Sequence, residues 1–214
     1  MALTAQSILQ RVITTLTDEG NVRWTVTELI RYLNDGQREI VTYRPDATAT
    51  TATVALAAGA RQALPSGAIK LLDVIRNTGG TKAAVRKIDQ KLLDAQIPNW
   101  QNGTQSAVVK HYMYDLRDIH VFYVYPPATN TASLEMLYSA KPTEISEQTS
   151  VSSVTGDISV NDLFANALQD YIVYRAQAKD AEYGNAAMAT AHYQAFQNAV
   201  GVEASATANA SPKQ

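Results

Sequence analysis

The chain reads as an α+β protein: a helical bundle of two N-terminal helices and one long C-terminal helix, with an inserted, mainly antiparallel β module. Three observations predict it. Apolar residues recur at helical spacing over residues 4–44 and again over 161–200. Between those stretches the period falls to two, Thr, Val and Tyr become common, and Gly, Pro and Asn mark the breaks. The 214 residues are 46% hydrophobic and 18% charged, a globular composition long enough for one domain or two small ones. The expected division is residues 1–46 with 161–202 as the helical domain, 47–160 as the β module, and 203–214 as a low-complexity tail.

The first helix is expected over residues 4–18, capped by Thr4, with Ile8, Leu9, Val12, Ile13 and Leu16 on one face and Gly20 as the residue just past its end. Trp24 precedes the second helix, where it can pack across the junction. Thr25 and Glu28 have the spacing of a capping box. Val26, Leu29, Ile30, Leu33, Ile40 and Val41 then share one face, while Glu28, Arg31, Asp35, Arg38, Glu39 and Thr42 take the other. Arg44-Pro45 closes the helix, because a residue before proline is pushed out of the α region. The short connection makes the two helices an antiparallel hairpin. Gly36 and Gln37 break the apolar stripe. Either Gly36 admits a neighbouring helix and Gln37 bonds that helix's backbone, or the stretch Asn34 to Glu39 is shared with another subunit.

Strand character starts at Thr48–Val54, with a turn at Ala58-Gly59-Ala60 before Arg61–Leu64 and another at Pro65-Ser66-Gly67. Ile69–Ile75 suits a buried strand. Asn77–Gly80 makes a loop tip, and Ala83–Val85 returns. Lys87–Ala95 resembles a short helix with Ile88 and Leu92 inward. The clearest hairpin pairs Val108–Tyr114 with Ile119–Tyr125 across the turn Asp115-Leu116-Arg117-Asp118. Tyr112 and Tyr114 share one side of their strand, as do Tyr123 and Tyr125 on theirs. Pro126-Pro127 ends the second strand, and Ser133–Ser139 can add a third. The polar stretch Lys141–Val160 is expected as a loop over the surface.

Asn161 caps the long C-terminal helix, whose stripe includes Phe164, Leu168, Tyr171, Tyr193, Phe196 and Val200, with a break near Gly184-Asn185. Arg175, Lys179 and Glu182 intrude on that stripe. Arg175 near its centre favours a partner from another helix or subunit.

Chemistry is sparse. A net charge of −2 leaves no footprint for wrapping nucleic acid, and with no cysteine there is no disulfide or thiolate metal site. No run reaches the ~20 apolar residues of a membrane helix, and the amphipathic N-terminus is not a signal peptide, so a soluble, untargeted protein is expected. His111 and His120 could be cross-strand neighbours, which supports a small metal-dependent hydrolase as the alternative function. No serine or glycine-loop motif matches a hydrolase, a phosphate loop or a dinucleotide site. Neither cofactor nor metal is expected.

The blocks WTVTELIRYLNDGQREIVTYRPDA, LPSGAIKLLDVIRN, LLDAQIPNW, HYMYDLRDIHVFYVYPP and ANALQDYIVYRAQAKDAEYGNAAMATAHYQAF occur in this order over about residues 4–200. Together they resemble the head-to-tail adaptor, or connector, proteins of tailed phages, the tail tubular A-like family. The resemblance implies a structural virion protein rather than an enzyme, made in the host cytoplasm. It implies a homo-oligomeric ring of twelve subunits between portal protein and tail nozzle or tube, with genomic DNA passing through the lumen. The family offers no catalytic residue to carry over. The residues expected at subunit or portal interfaces are Gly36, Gln37, Tyr112, Tyr114, Tyr123, Tyr125, Arg175, Glu182, Tyr193 and Phe196. Ordering Glu203–Gln214 would cost ~1–2 kcal/mol per residue with little burial in return, so docking in the assembly is expected to hold this tail.

Overall fold

Apolar periodicity builds the helices where expected. In the computed structural model, which describes residues 3–80, 82–179 and 184–210 with side chains through Gly201, α1 spans Ala5–Leu16 and α2 spans Val26–Tyr43. Ile8, Leu9, Val12, Ile13 and Leu16 line the buried face of α1, and Leu29, Ile30, Leu33 and Ile40 that of α2. Thr4 caps α1 by accepting from the Ser7 N–H. The left-handed residue after α1 is Thr17 rather than Gly20. Asp18 explains the early turn: its carboxylate accepts the N–H groups of Val22, Arg23 and Trp24 at 3.1, 2.9 and 3.0 Å. Only half of the expected capping box forms. Thr25 accepts from the Glu28 N–H, but the Glu28 carboxylate turns to the Tyr32 hydroxyl and the Lys179 ammonium.

The long C-terminal helix is instead two. Asn161 caps a 3-10 turn that leads into α4, Ala165–Gln177, and α5 spans Ala186–Ala210. The break falls where Gly184-Asn185 places it. The Asn185 side chain accepts from the Ala187 and Met188 N–H groups, so this residue starts a new helix instead of bending an old one. α5 folds back along α4, putting Tyr193 on Tyr174 and Phe196 on Tyr171. The low-complexity stretch continues as backbone helix to Ala210; residues 211–214 lie outside the described ones.

The chain divides into two compact units, residues 1–48 with 142–214, and residues 49–141. The stretch 142–160 therefore belongs with the helices and not with the strands. It is more than a surface loop: Ile145, Val154, Ile158 and Val160 are buried. These apolar residues are spaced too irregularly for either period, which is why the segment reads as polar loop.

In the β unit, β1 (Ala49–Ala55), β3 (Ala68–Asn77) and β7 (Ser133–Ala140) form one sheet in the order β1-β7-β3. The second sheet has the order β2-β6-β5-β4, from Gly59–Ala63, Val121–Ala128, His111–Tyr114 and Arg86–Lys87. All pairings are antiparallel except β4 with β5. Ser133–Ser139 is thus a strand, but it leaves the hairpin to become the centre of the other sheet. β6 runs through both prolines, which have no N–H to pair, while the Pro127 carbonyl still accepts from Ser106. The short helix α3, Gln90–Gln96, buries Leu93 and leaves Leu92 54% exposed, one position off the expected register. One core gathers Leu71, Val74, Phe122, Val124, Leu134 and Met136. A smaller one surrounds Trp100 with Ala60, Leu93 and Met113.

Candidate interface surfaces

The exposed side of α2 carries alternating polar residues, and residues 144–159 lie along it as a strap. Asn34 grips the strap as a strand would: its Nδ2 donates to the Ile145 carbonyl and its Oδ1 accepts the Ile145 N–H, both at 2.9 Å. Thr27 donates to the Gln148 carbonyl. Arg31 binds Glu147 through two hydrogen bonds, and Arg38 bridges Asp35 and Glu144. Gln37, fully buried, accepts the Ser159 N–H at 2.6 Å. The stretch Asn34 to Glu39 thus finds much of its partner within its own chain, and Gln37 bonds a strap backbone rather than a helix. Gly36 does admit a helix. A Cβ there would meet Leu168 at 2.7 Å and Tyr171 at 2.9 Å, so the α2–α4 crossing depends on its absence.

Arg175 on α4 stands over the Tyr32 ring at 5.2 Å, donates to the Tyr171 hydroxyl and lies 3.9 Å from Asp35. Burial opposes its charge, but these neighbours outweigh it and raise its pKa. Tyr32 is pushed up to about 12, by burial first and then by its bond to Glu28. Tyr193 and Phe196 join Tyr43, Tyr171 and Tyr174 in an aromatic ladder holding α5. Tyr193 is half-buried and Phe196 fully buried. Opposite them, the α5 residues Ala187, Ala191, Ala195 and Ala199 are exposed. Glu182 lies outside the described residues.

The tyrosine hairpin serves its own unit. Tyr112 is buried with its hydroxyl on Asp73 at 2.9 Å, and burial first, then that carboxylate, raises its pKa well above the usual value. Tyr114, half-buried, donates to the Ile119 carbonyl. Tyr123 and Tyr125 pack edge-on against Trp100. His111 pairs in register with Tyr125 and stacks on its ring, while Tyr114 pairs with Phe122 and leaves His120 in the turn. The two histidines are therefore not cross-strand neighbours: His111 lies opposite Tyr125, and His120 falls before the first pair of the hairpin, Tyr114 with Phe122. Among the described residues no three His, Asp or Glu side chains converge as a metal site.

A groove of about 790 Å³ runs between α1, the start of α2 and residues 149–152. Glu19 is the one titratable side chain among its described lining, so acid–base chemistry lacks a second group there. The surface instead shows apolar outposts: Leu116, 63% exposed at the β5–β6 turn, Val22 beside Asp18, and Leu163 ahead of α4. At that turn Arg117 holds the Asp115 carboxyl down at about 2. No helix of the described residues is long and apolar enough to cross a membrane.

Sequence reasoning missed the strap. Its signal was the charge match of Glu144 and Glu147 with Arg38 and Arg31. No curated protein matches the chain. The family model described as SU10 adaptor protein matches residues 3–213.

Proposed function

Because the chain belongs to the SU10 adaptor family of phage proteins, we propose that it is the head-to-tail adaptor of a tailed phage, a ring of twelve copies between portal and tail. DNA passes through the lumen without sequence-specific contact, and the protein's position is the virion neck. The observation that carries this is the family match, which takes in both units and nearly every residue. The role is structural. A subunit of this kind needs surfaces for neighbours and rigidity under load. The strap across α2 and the aromatic ladder supply the rigidity, while the exposed face of α5 and the tip at Leu116 offer surface. Of the expected interface set, Tyr114, Tyr123, Tyr125, Arg175 and Tyr193 are half-exposed and keep part of their surface for a neighbour. Gly36, Gln37, Tyr112 and Phe196 act inside the subunit and shape what neighbours meet.

Negative-stain microscopy of the protein mixed with its portal tests this. Rings stacked coaxially on portals are expected. Dispersed particles, with portals left bare, would refute it.

A further inference from the structure

Whole-chain charge hides an asymmetry. The helical unit holds fourteen Asp and Glu against eight Lys and Arg, a net of −6, whereas the β unit holds ten Lys and Arg against six acids, a net of +4. Cations of the helical unit are largely committed: Arg31, Arg38, Arg44, Arg175 and Lys179 each lie beside a carboxylate. In the β unit Arg76 and Arg117 are paired. Arg86, Lys87, Lys91 and Lys110 are exposed, and none of the four has an ion-pair partner among the described residues.

The fold gathers Arg86, Lys87 and Lys110 at one sheet edge, and Lys91 follows four residues after Lys87. The Arg86 N–H bonds the Lys110 carbonyl at 3.1 Å, and Arg86 and Lys87 run in register with His111 and Tyr112. Lys91 stands in the first turn of α3, where a cation opposes the helix dipole. Asp89, the nearest acid in sequence, accepts the Lys91 N–H as the helix cap. Charge on β4 alone would suffice to discourage strand pairing at a two-residue edge. Lys91 and Lys110 lie off that strand and add to the repulsion without serving that purpose.

We infer that this basic edge docks on the acidic helical unit of a second copy, so that neighbours join head to tail. Pairing either unit with its own copy sets +4 on +4 or −6 on −6, whereas the crossed contact attracts. A contact between two different surfaces of one chain is also the kind that closes into rings. The inference rests on the ring reading and assigns its contact. The counterpart is the patch around Asp157 and Asp162, both exposed, which flank the chain at Leu3 and Thr4: Asp162 accepts the Leu3 N–H and Asp157 bridges Thr4. Leu163, 74% exposed, gives that patch the apolar centre and charged rim of an interface.

Self-association of the full chain, measured by mass photometry in low and high salt, tests this. Association should weaken about tenfold on raising NaCl from about 50 to about 500 mM. The double variant Arg86→Glu, Lys87→Glu, its fold checked by circular dichroism, should lose about tenfold or more in low salt. Adding Asp157→Lys to it should restore part of that loss, and no restoration would overturn the assignment to Asp157. Salt-independent assembly, or a double variant that assembles like the parent, would overturn the contact while leaving the ring reading intact. So would duplex DNA bound by the parent and lost by a variant whose self-association is unchanged. A parent chain that forms no oligomer in either salt overturns both.

Discussion

Replacing Asn34 by Ala removes the two hydrogen bonds that clamp Ile145 to α2. Each is worth about 1 kcal/mol, and the Ile145 N–H and carbonyl would be left facing an alanine methyl. Alanine returns roughly 0.5–0.7 kcal/mol of helix propensity, so the net loss should be about 1–2 kcal/mol. Asn34→Asp sharpens the test. It keeps the acceptor for the Ile145 N–H but sets a carboxylate oxygen against the Ile145 carbonyl, so it should destabilise at least as much despite being isosteric. Urea denaturation followed by circular dichroism gives the free-energy change, and amide exchange locates it. Exchange across residues 142–160 should accelerate before the helix cores open. A loss under about 0.5 kcal/mol with unchanged strap protection would refute the clamp.

Gly36→Val should cost about 2–4 kcal/mol, because the new side chain meets Leu168 and Tyr171 at the α2–α4 crossing; thermal melts of the isolated subunit would read it. Tyr112→Ala should lower stability by roughly 3 kcal/mol, and a variant that instead folds normally yet fails to assemble would return this residue to the interface. Burial alone would raise the Asp18 carboxyl, but three backbone N–H groups hold it below its ordinary value. Its stabilisation is therefore present above the unfolded pKa near 3.8 and is lost as pH falls through the lower folded value. Asp18→Ala should accordingly cost about 1–3 kcal/mol at neutral pH and progressively less in acid, as urea titrations at both pH values would show. Truncation after Gly201 keeps the buried stripe Ala189, Phe196 and Val200, so the subunit should still fold while its attachment to portal, followed by co-sedimentation, weakens.

What was legible in the sequence is what local chemistry decides. Thr4 and Thr25 cap helices because their hydroxyls reach a backbone N–H, and the α1 and α2 stripes are buried because helical spacing puts them on one side. Gly36 announced a close approach, and the side chains that approach it are Leu168 and Tyr171. Pairing between distant strands was not legible. β7 reads as a third strand of the tyrosine hairpin because it follows it, yet both its partners, β1 and β3, come more than fifty residues earlier. The α4–α5 reversal was half legible: Asn185 marks the break, but only the contacts of Tyr193 and Phe196 with α4 show that the chain returns. The strap was hidden by its own polarity, since what secures it is hydrogen bonding to α2 side chains more than apolar burial.

The order of the units along the chain has a consequence for biosynthesis. α1 and α2 leave the ribosome ahead of the β unit, but α4, against which both pack, follows all of it. At ~5–20 residues per second, Leu29, Ile30 and Leu33 stay without their final cover for several seconds while residues 49–141 are made. The β unit starts second and can finish first, because every strand it needs lies inside one continuous stretch. The two nascent helices must meanwhile remain unaggregated without α4, and the charged outer face of Glu28, Arg31, Asp35, Arg38 and Glu39 on α2 is the part of the sequence suited to that interval.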